Sequence, residues 1–350
     1  MRILIAEDDE ALARFVRQGL EGEHYSVDVL PDGEQARTAA TEFEYDVVIL
    51  DLNLPKLDGV SVLRYLRSKK PSLPVLVLTQ RTRVEDRVQC LDTGADDYVP
   101  KQLSSTSLDI LHIRSDLIAK LRAAAQSRNS HPGDVLSKKP PRSARSETLS
   151  AAFPSVPAIV ALGTSTGGPR ALQEILPLFP RDLAVPILIV QHMPPGFTAP
   201  FAQRLNTLCS VTVREATHGE CPQPGVVYIA PAGLHMRVER QADSRAIIFL
   251  DTHPEDYLHI PSIDVLMTSV AESFGNLALG VIMTGMGSDG AAGMQAIHRQ
   301  GGLTIGQNEA TCTVYGMPRA CAELGILTRV VPLSQIPAEI LQATRYRKRA

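Results

Sequence analysis

Ser165 stands in the turn Gly163-Thr164-Ser165-Thr166-Gly167-Gly168-Pro169, directly after the apolar run Ala158–Leu162. A strand that hands over to a helix through such a turn holds a hydroxyl at the helix start, where peptide N–H groups can stabilise an oxyanion. The residues alone leave three readings: a tight turn in which Ser165 caps the helix, a glycine cradle for a dinucleotide, or a nucleophile. A dinucleotide cradle expects an acid at the end of the next strand to bind ribose. That strand, Val185–Gln191, ends instead at His192. A histidine on the same sheet edge can take the proton of the serine. The third member of such a set orients the imidazole and stabilises the imidazolium. Asp289, in the loop after the predicted strand Gly280–Thr284, is the candidate, with capping of the following helix as its alternative role. The three together point to acyl transfer or hydrolysis. The local match to a G-x-S-x-G elbow does not extend to the α/β-hydrolases, whose order is serine, acid, histidine.

A second set lies near the N-terminus. Glu7 and Asp8 follow the first predicted strand and Asp51 ends the third. Carboxylates converging on one sheet edge repel one another unless a hard cation such as Mg²⁺ lies between them. A carboxylate beside Mg²⁺ can accept a phosphoryl group, with the metal and a lysine neutralising the transferred charge. Thr79 ends the fourth strand and Lys101 follows the fifth, which adds a hydroxyl and an ammonium to that edge.

The elements that must position these groups alternate along the chain. Strands are predicted at Ile3–Ala6, Val27–Leu30, Val47–Leu50, Val75–Thr79 and Tyr98–Val99, with amphipathic segments such as Ala11–Leu20 between them. After a Pro-, Ser- and Lys-rich stretch the alternation resumes with a strand over 158–162, a helix over 169–178 and a strand over 186–191. The expected class is α/β, with two doubly wound parallel-sheet domains. The boundaries are expected at 1–126 and 157–340, joined by a linker over 127–156. Residues 123–157 carry five Lys/Arg against two acids, which suits a solvated tether.

The composition fits a soluble protein of two cores: 350 residues, 44% hydrophobic and 21% charged. A formal net charge of −3 argues against nucleic acid or an anionic membrane as the main partner. The five cysteines form no C-x-x-C pair, and no apolar run reaches spanning length. A reduced, cytoplasmic protein without membrane insertion is expected.

Residues 1–125 resemble a response-regulator receiver domain, through Glu7-Asp8-Asp9, Asp51-Leu-Asn-Leu-Pro55-Lys-Leu-Asp58-Gly59, Thr79 and Gly94-Ala-Asp-Asp-Tyr98-Val-Pro-Lys101. The resemblance implies a (βα)5 fold with Asp51 as phospho-acceptor. It implies Asp8, Asp51 and the Asn53 carbonyl as Mg²⁺ ligands with Glu7 nearby, Thr79 and Lys101 as phosphoryl contacts, and Tyr98 as a switch residue. The proline usual after the lysine is replaced by Gln102.

Residues 158–335 resemble the chemotaxis-type protein-glutamate methylesterases, the CheB family. Besides the serine turn, the motifs are Gln191-His192-Met193-Pro194, Ala230-Pro-Ala-Gly-Leu-His235-Met236, Pro261-Ser262-Ile263-Asp264, Thr284-Gly-Met286-Gly-Ser-Asp289-Gly290 and Gln307-Asn308 through Met317-Pro318. Ile260 stands where relatives usually carry a basic residue. The resemblance implies a Rossmann-like catalytic domain with Ser165 as nucleophile, His192 as general base and acid, and Asp289 as orienting acid. It implies oxyanion donors in the backbone N–H groups of Thr166 and Met286, and no cofactor for hydrolysis. It further implies a methyl-accepting chemoreceptor as substrate, a histidine kinase as phosphodonor, deamidation of receptor glutamines, and activation when the phosphorylated receiver uncovers Ser165. An adaptor that docks on receptors without hydrolysis, and a small-ester serine hydrolase, are the competing expectations.

Overall fold

A computed structural model of the chain describes residues 1–22, 24–71, 73–79, 93–100, 155–241, 245–255 and 257–345, with Thr79 and residues 97–100 described as backbone only. The linker expected over 127–156 lies almost entirely outside the described residues, as do Lys101 and Gln102.

The N-terminal sheet has five parallel strands in the order β2-β1-β3-β4-β5, namely Ser26–Leu30, Arg2–Ala6, Val47–Asp51, Val75–Thr79 and Asp97–Pro100. The central strands are almost wholly apolar (Ile3–Ala6, Val47–Leu50) and fully buried, as a parallel sheet covered by helices on both faces requires. Helices begin at acidic caps. Asp9 accepts from the N–H groups of Ala11 and Leu12 to start Glu10–Glu21, and Asp58 accepts from Ser61 to start Gly59–Lys69.

The C-terminal sheet has seven parallel strands in the order β14-β13-β12-β6-β7-β9-β8, of which the outer four are β14 (Arg329–Val331), β13 (Leu303–Gln307), β9 (Val226–Ile229) and β8 (Thr212–Glu215). Its middle three are β12 (Ala278–Ile282), β6 (Ile159–Thr164) and β7 (Ile187–Gln191), all fully or nearly fully buried. The chain enters at β6, then builds outward on both sides, so the switch point lies beside β6, where ligands of open α/β sheets bind. An antiparallel hairpin, β10 (His235–Arg240) with β11 (Ala246–Asp251), packs outside this sheet against the helix Ile263–Phe274.

Several boundaries move from those predicted, each for a local reason. The β6 ladder continues through Thr164, which pairs with Gln191, because parallel neighbours on both sides hold residues that read as turn formers. The strand expected over Gly280–Thr284 ends at Ile282, and the Thr284 N–H turns to the Gln307 side chain (2.9 Å). The helix expected over 169–178 is α-helical over Gly168–Ile175 and tightens to a 3₁₀ turn over Leu176–Leu178, where Pro177 removes a donor.

Among the described residues, a nearly buried ion pair ties the N-terminal sheet to its helix. Arg67 donates to Asp96 at 2.6 Å, and Asp96 also accepts from the Val75 N–H at 2.8 Å. Breaking a buried pair from one side typically costs about 3–5 kcal/mol, and because Asp96 keeps Arg170 (3.2 Å) and the Val75 N–H as partners, the loss falls at the low end of that range. Arg67→Ala is therefore expected to lower the stability of the N-terminal domain by about 3 kcal/mol in urea unfolding, while Arg67→Lys loses less.

Candidate active site

Ser165, His192 and Asp289 follow the adjacent strands β6, β7 and β12, and the structure brings all three together. Ser165 Oγ lies 3.2 Å from His192 Nδ1, and His192 Nε2 lies 2.8 Å from Asp289 Oδ2. A carboxylate only accepts, so Nε2 carries the proton and the Nδ1 lone pair faces the hydroxyl. The two nitrogens are used in the reverse sense to the serine-protease template, where Nε2 faces the serine. Either nitrogen of a neutral imidazole is a base once the other is protonated, so the chemistry is the same.

Neither capping alternative occurs. The helix Gly168–Ile175 has Gly167 as its N-cap with no side-chain bond, and the helix Ala291–Arg299 likewise has Gly290. The Asp289 carboxylate serves a different helix. It accepts from Ser262 Oγ (2.8 Å) and from the N–H groups of Ile263 (2.8 Å) and Asp264 (3.0 Å), at the start of Ile263–Phe274. The positive end of that helix favours the anion. Burial opposes ionisation of Asp289, yet the bonds from His192, Ile263 and Asp264 outweigh it and hold the carboxyl well below the usual range. The neighbouring Asp264 behaves oppositely: burial, with the Asp289 charge adding to it, pushes its carboxyl up to about 6.

The serine turn is shaped by close approaches. Gln191 Nε2 donates to the carbonyls of both Ser165 (3.1 Å) and His192 (2.9 Å), so one carboxamide ties the serine turn to the end of β7. A Cβ at Gly168 would overlap Gln191 Oε1, and a Cβ at Gly285 would lie 2.8 Å from that of Ser165. Thr284 closes the other side: its carbonyl accepts from the Ser165 N–H (3.0 Å) and its hydroxyl donates to the Thr166 carbonyl (2.8 Å). A cleft of about 320 Å³ opens here, lined by Ser165, Thr166, Tyr257, His259, Met286 and Asp289. Thr166 and Met286 thus border the space beside Ser165.

Gln191, Ser262 and Thr284 received no role from the sequence, although each stands in a motif quoted for the resemblance. A lone amide or hydroxyl in a loop has no periodicity, and only the folded contacts reveal what it holds.

At the edge of the N-terminal sheet, carboxylate oxygens of Glu7, Asp8 and Asp51 lie within 4.8 Å of one another. Glu7 and Asp51 are buried and Asp8 is exposed. Three like charges this close favour a bound cation, and an all-oxygen donor set suits Mg²⁺. Asn53 is exposed two residues after Asp51. Thr79 ends β4 at the same edge and Tyr98 lies within β5, whereas Lys101 lies outside the described residues.

Comparison with known proteins agrees with both halves of this geometry. The CheB methylesterase family profile matches residues 160–340 and the response regulator receiver domain profile matches residues 3–111. The chain belongs to the CheB methylesterase family. A Geobacter sulfurreducens relative named protein-glutamate methylesterase/protein-glutamine glutaminase 1 is 38% identical over 353 residues, covering 97% of this chain and 96% of its own. An Archaeoglobus fulgidus relative named protein-glutamate methylesterase/protein-glutamine glutaminase is 38% identical over 352 residues, covering 98% of this chain and 97% of its own. The crystal structure of the Thermotoga maritima CheB methylesterase catalytic domain is similar at 39% identity and a TM-score of 0.52, covering 54% of this chain and 99% of that one. In this member of the family, the receiver precedes the catalytic sheet.

The opposed behaviour of Asp264 and Asp289 has a measurable consequence. Asp264 binds its proton more tightly when folded, because its carboxyl is raised from 3.8 to about 6. The stability it contributes is therefore fully present below pH 3.8 and is lost as pH rises through about 6. An amide there keeps an oxygen to accept the Gly293 N–H and carries no charge. Asp264→Asn is expected to melt above the wild type at pH 7.5, with the gap closing toward pH 4.5, measured by calorimetry.

Proposed function

We propose that the chain is a phosphorylation-activated protein-glutamate methylesterase that hydrolyses glutamyl γ-methyl esters on chemoreceptors. The observation that carries this reading is the hydrogen-bonded line from Ser165 through His192 to Asp289, at 3.2 and 2.8 Å, in a domain of the CheB family. Ser165 Oγ attacks the ester carbonyl as its proton passes to His192 Nδ1, and ionised Asp289 stabilises the imidazolium. The backbone N–H groups of Thr166 and Met286 hold the oxyanion; losing one such donor costs roughly 10²–10³ in turnover. His192 then returns the proton to the departing methoxide, so methanol leaves and a glutamyl–serine ester remains. Water, deprotonated by His192, hydrolyses that ester and frees Ser165. A glutamine amide passes through the same acyl-enzyme with ammonia as the leaving group, and no step calls for a cofactor.

Control resides in the receiver, with Asp51 as the phospho-acceptor and a histidine kinase as the donor. Asp8, Asp51 and the Asn53 carbonyl would hold Mg²⁺ with Glu7 beside them, and the bound cation would neutralise charge on the transferred phosphoryl group. Thr79 and Lys101 contact that group in this reading, and Tyr98 reports it to the neighbouring surface. The unphosphorylated receiver packs against the catalytic domain and restricts access to Ser165. An ion pair between Arg170, just after the serine turn, and Asp96 of the receiver (3.2 Å) supports such a contact. The boundaries 1–126, 127–156 and 157–340 belong to the same reading, supported by the two separate sheets and the extents of the two family matches. Action on the cytoplasmic part of a receptor places the enzyme in the cytoplasm. Among the described residues no helix is long and apolar enough to cross a membrane.

Two variants test the reading. Ser165→Ala should lower methanol release from methylated receptor by at least about 10³-fold, and an unchanged rate would favour a docking adaptor. Asp51→Ala should keep the basal rate and lose stimulation by a small-molecule phosphodonor; stimulation equal to wild type would remove Asp51 from the control.

A further inference from the structure

We infer that His259 is a positioning residue, its ring seated on the face of His192 so that Nδ1 stays aligned with Ser165 Oγ. The two imidazoles stack with centroids 4.2 Å apart and planes inclined by 27°. This inference rests on Ser165 acting as a nucleophile.

The His192 ring needs such a restraint. Rotation of an imidazole about its Cβ–Cγ bond is soft, with no sharp staggered wells. Its bonds to Ser165 and Asp289 act within the ring plane, and hydrogen bonds at an oxygen acceptor tolerate a broad range of angles. A flat neighbour on the ring face limits tilt out of the plane, and an offset aromatic stack supplies that contact.

The loop that carries His259 is anchored well enough to act as a wall. His235, fully buried at the start of β10, accepts the Ser262 N–H at Nδ1 (3.1 Å) and faces the Pro254 carbonyl with Nε2 (3.0 Å). One neutral imidazole therefore pins the loop at both ends, and burial lowers its pKa, which keeps it neutral. The Gly233 N–H adds a bond to the Ile260 carbonyl (3.1 Å). Ser262, held by His235 through its N–H, gives its hydroxyl to Asp289. Triad acid and stacking wall thus share one anchor. His259 itself is exposed, so replacing it leaves the core intact.

The test uses the full-length protein with a fluorophosphonate that labels an activated serine, alongside methanol release from methylated receptor. His259→Ala should slow Ser165 labelling and kcat by roughly two- to tenfold with KM unchanged. His259→Phe, which keeps a flat ring, should restore both. Labelling of His259→Ala at the wild-type rate overturns the inference. So does equal slowing of both variants, which would mean that the imidazole, not its plane, is needed. A wild type that is not labelled at Ser165 overturns the nucleophile reading and the role of His259 with it.

Discussion

A carboxylate as buried as Asp289 remains ionised only when donors surround it, and much of the catalytic domain is arranged to supply them. Ser262, Ile263 and Asp264 contribute a hydroxyl and two amides from one helix start, and His192 completes the shell. The helix Ile263–Phe274 has packing work as well, lying between the central sheet and the β10–β11 hairpin. A single helix thus fixes the charge of the acid, the position of the acid and one wall of the core. Any shift of that helix would move Asp289, and through it the tautomer of His192.

The second constraint is closeness. Ser165 is reached from the sheet through residues 163–168, and that turn is pressed between Gln191 on one side and Thr284–Gly285 on the other. A side chain at Gly168 would occupy space taken by Gln191 and Thr164, and one at Gly285 space taken by Met317 and Ser165 itself. The turn also passes Gly167 at a φ of +79°, in the left-handed region where a glycine carries no Cβ penalty. The glycine at position 168 serves packing, because the Gln191 carboxamide takes the space its Cβ would need.

Legibility in the sequence follows the range of the forces involved. Ser165, His192 and Asp289 could be picked out because each follows an apolar strand, and parallel strands bring their C-terminal ends to one edge. The five strands of the N-terminal sheet were legible for the same reason, their β-branched runs being continuous. Strand ends were less so: Gly163 and Thr164 read as turn formers yet remain paired, since neighbouring strands override local preference. The hairpin β10–β11 and strand β8 lack a continuous apolar run, because they are only partly buried and polar residues interrupt them. Gln191, Ser262, His235 and Thr284 were invisible as functional groups. Their roles are hydrogen bonds made across 26 to 118 residues, and nothing local marks them.

The central claim is that ionised Asp289 holds the proton on Nε2 of His192 and leaves Nδ1 free for Ser165. Nitrogen-15 NMR of the histidine side chains in the resting enzyme measures this directly. The geometry predicts a protonated Nε2 and an unprotonated Nδ1 for His192 at neutral pH, with that tautomer lost in Asp289→Asn. A His192 protonated at Nδ1, or one indifferent to the Asp289 substitution, would contradict it.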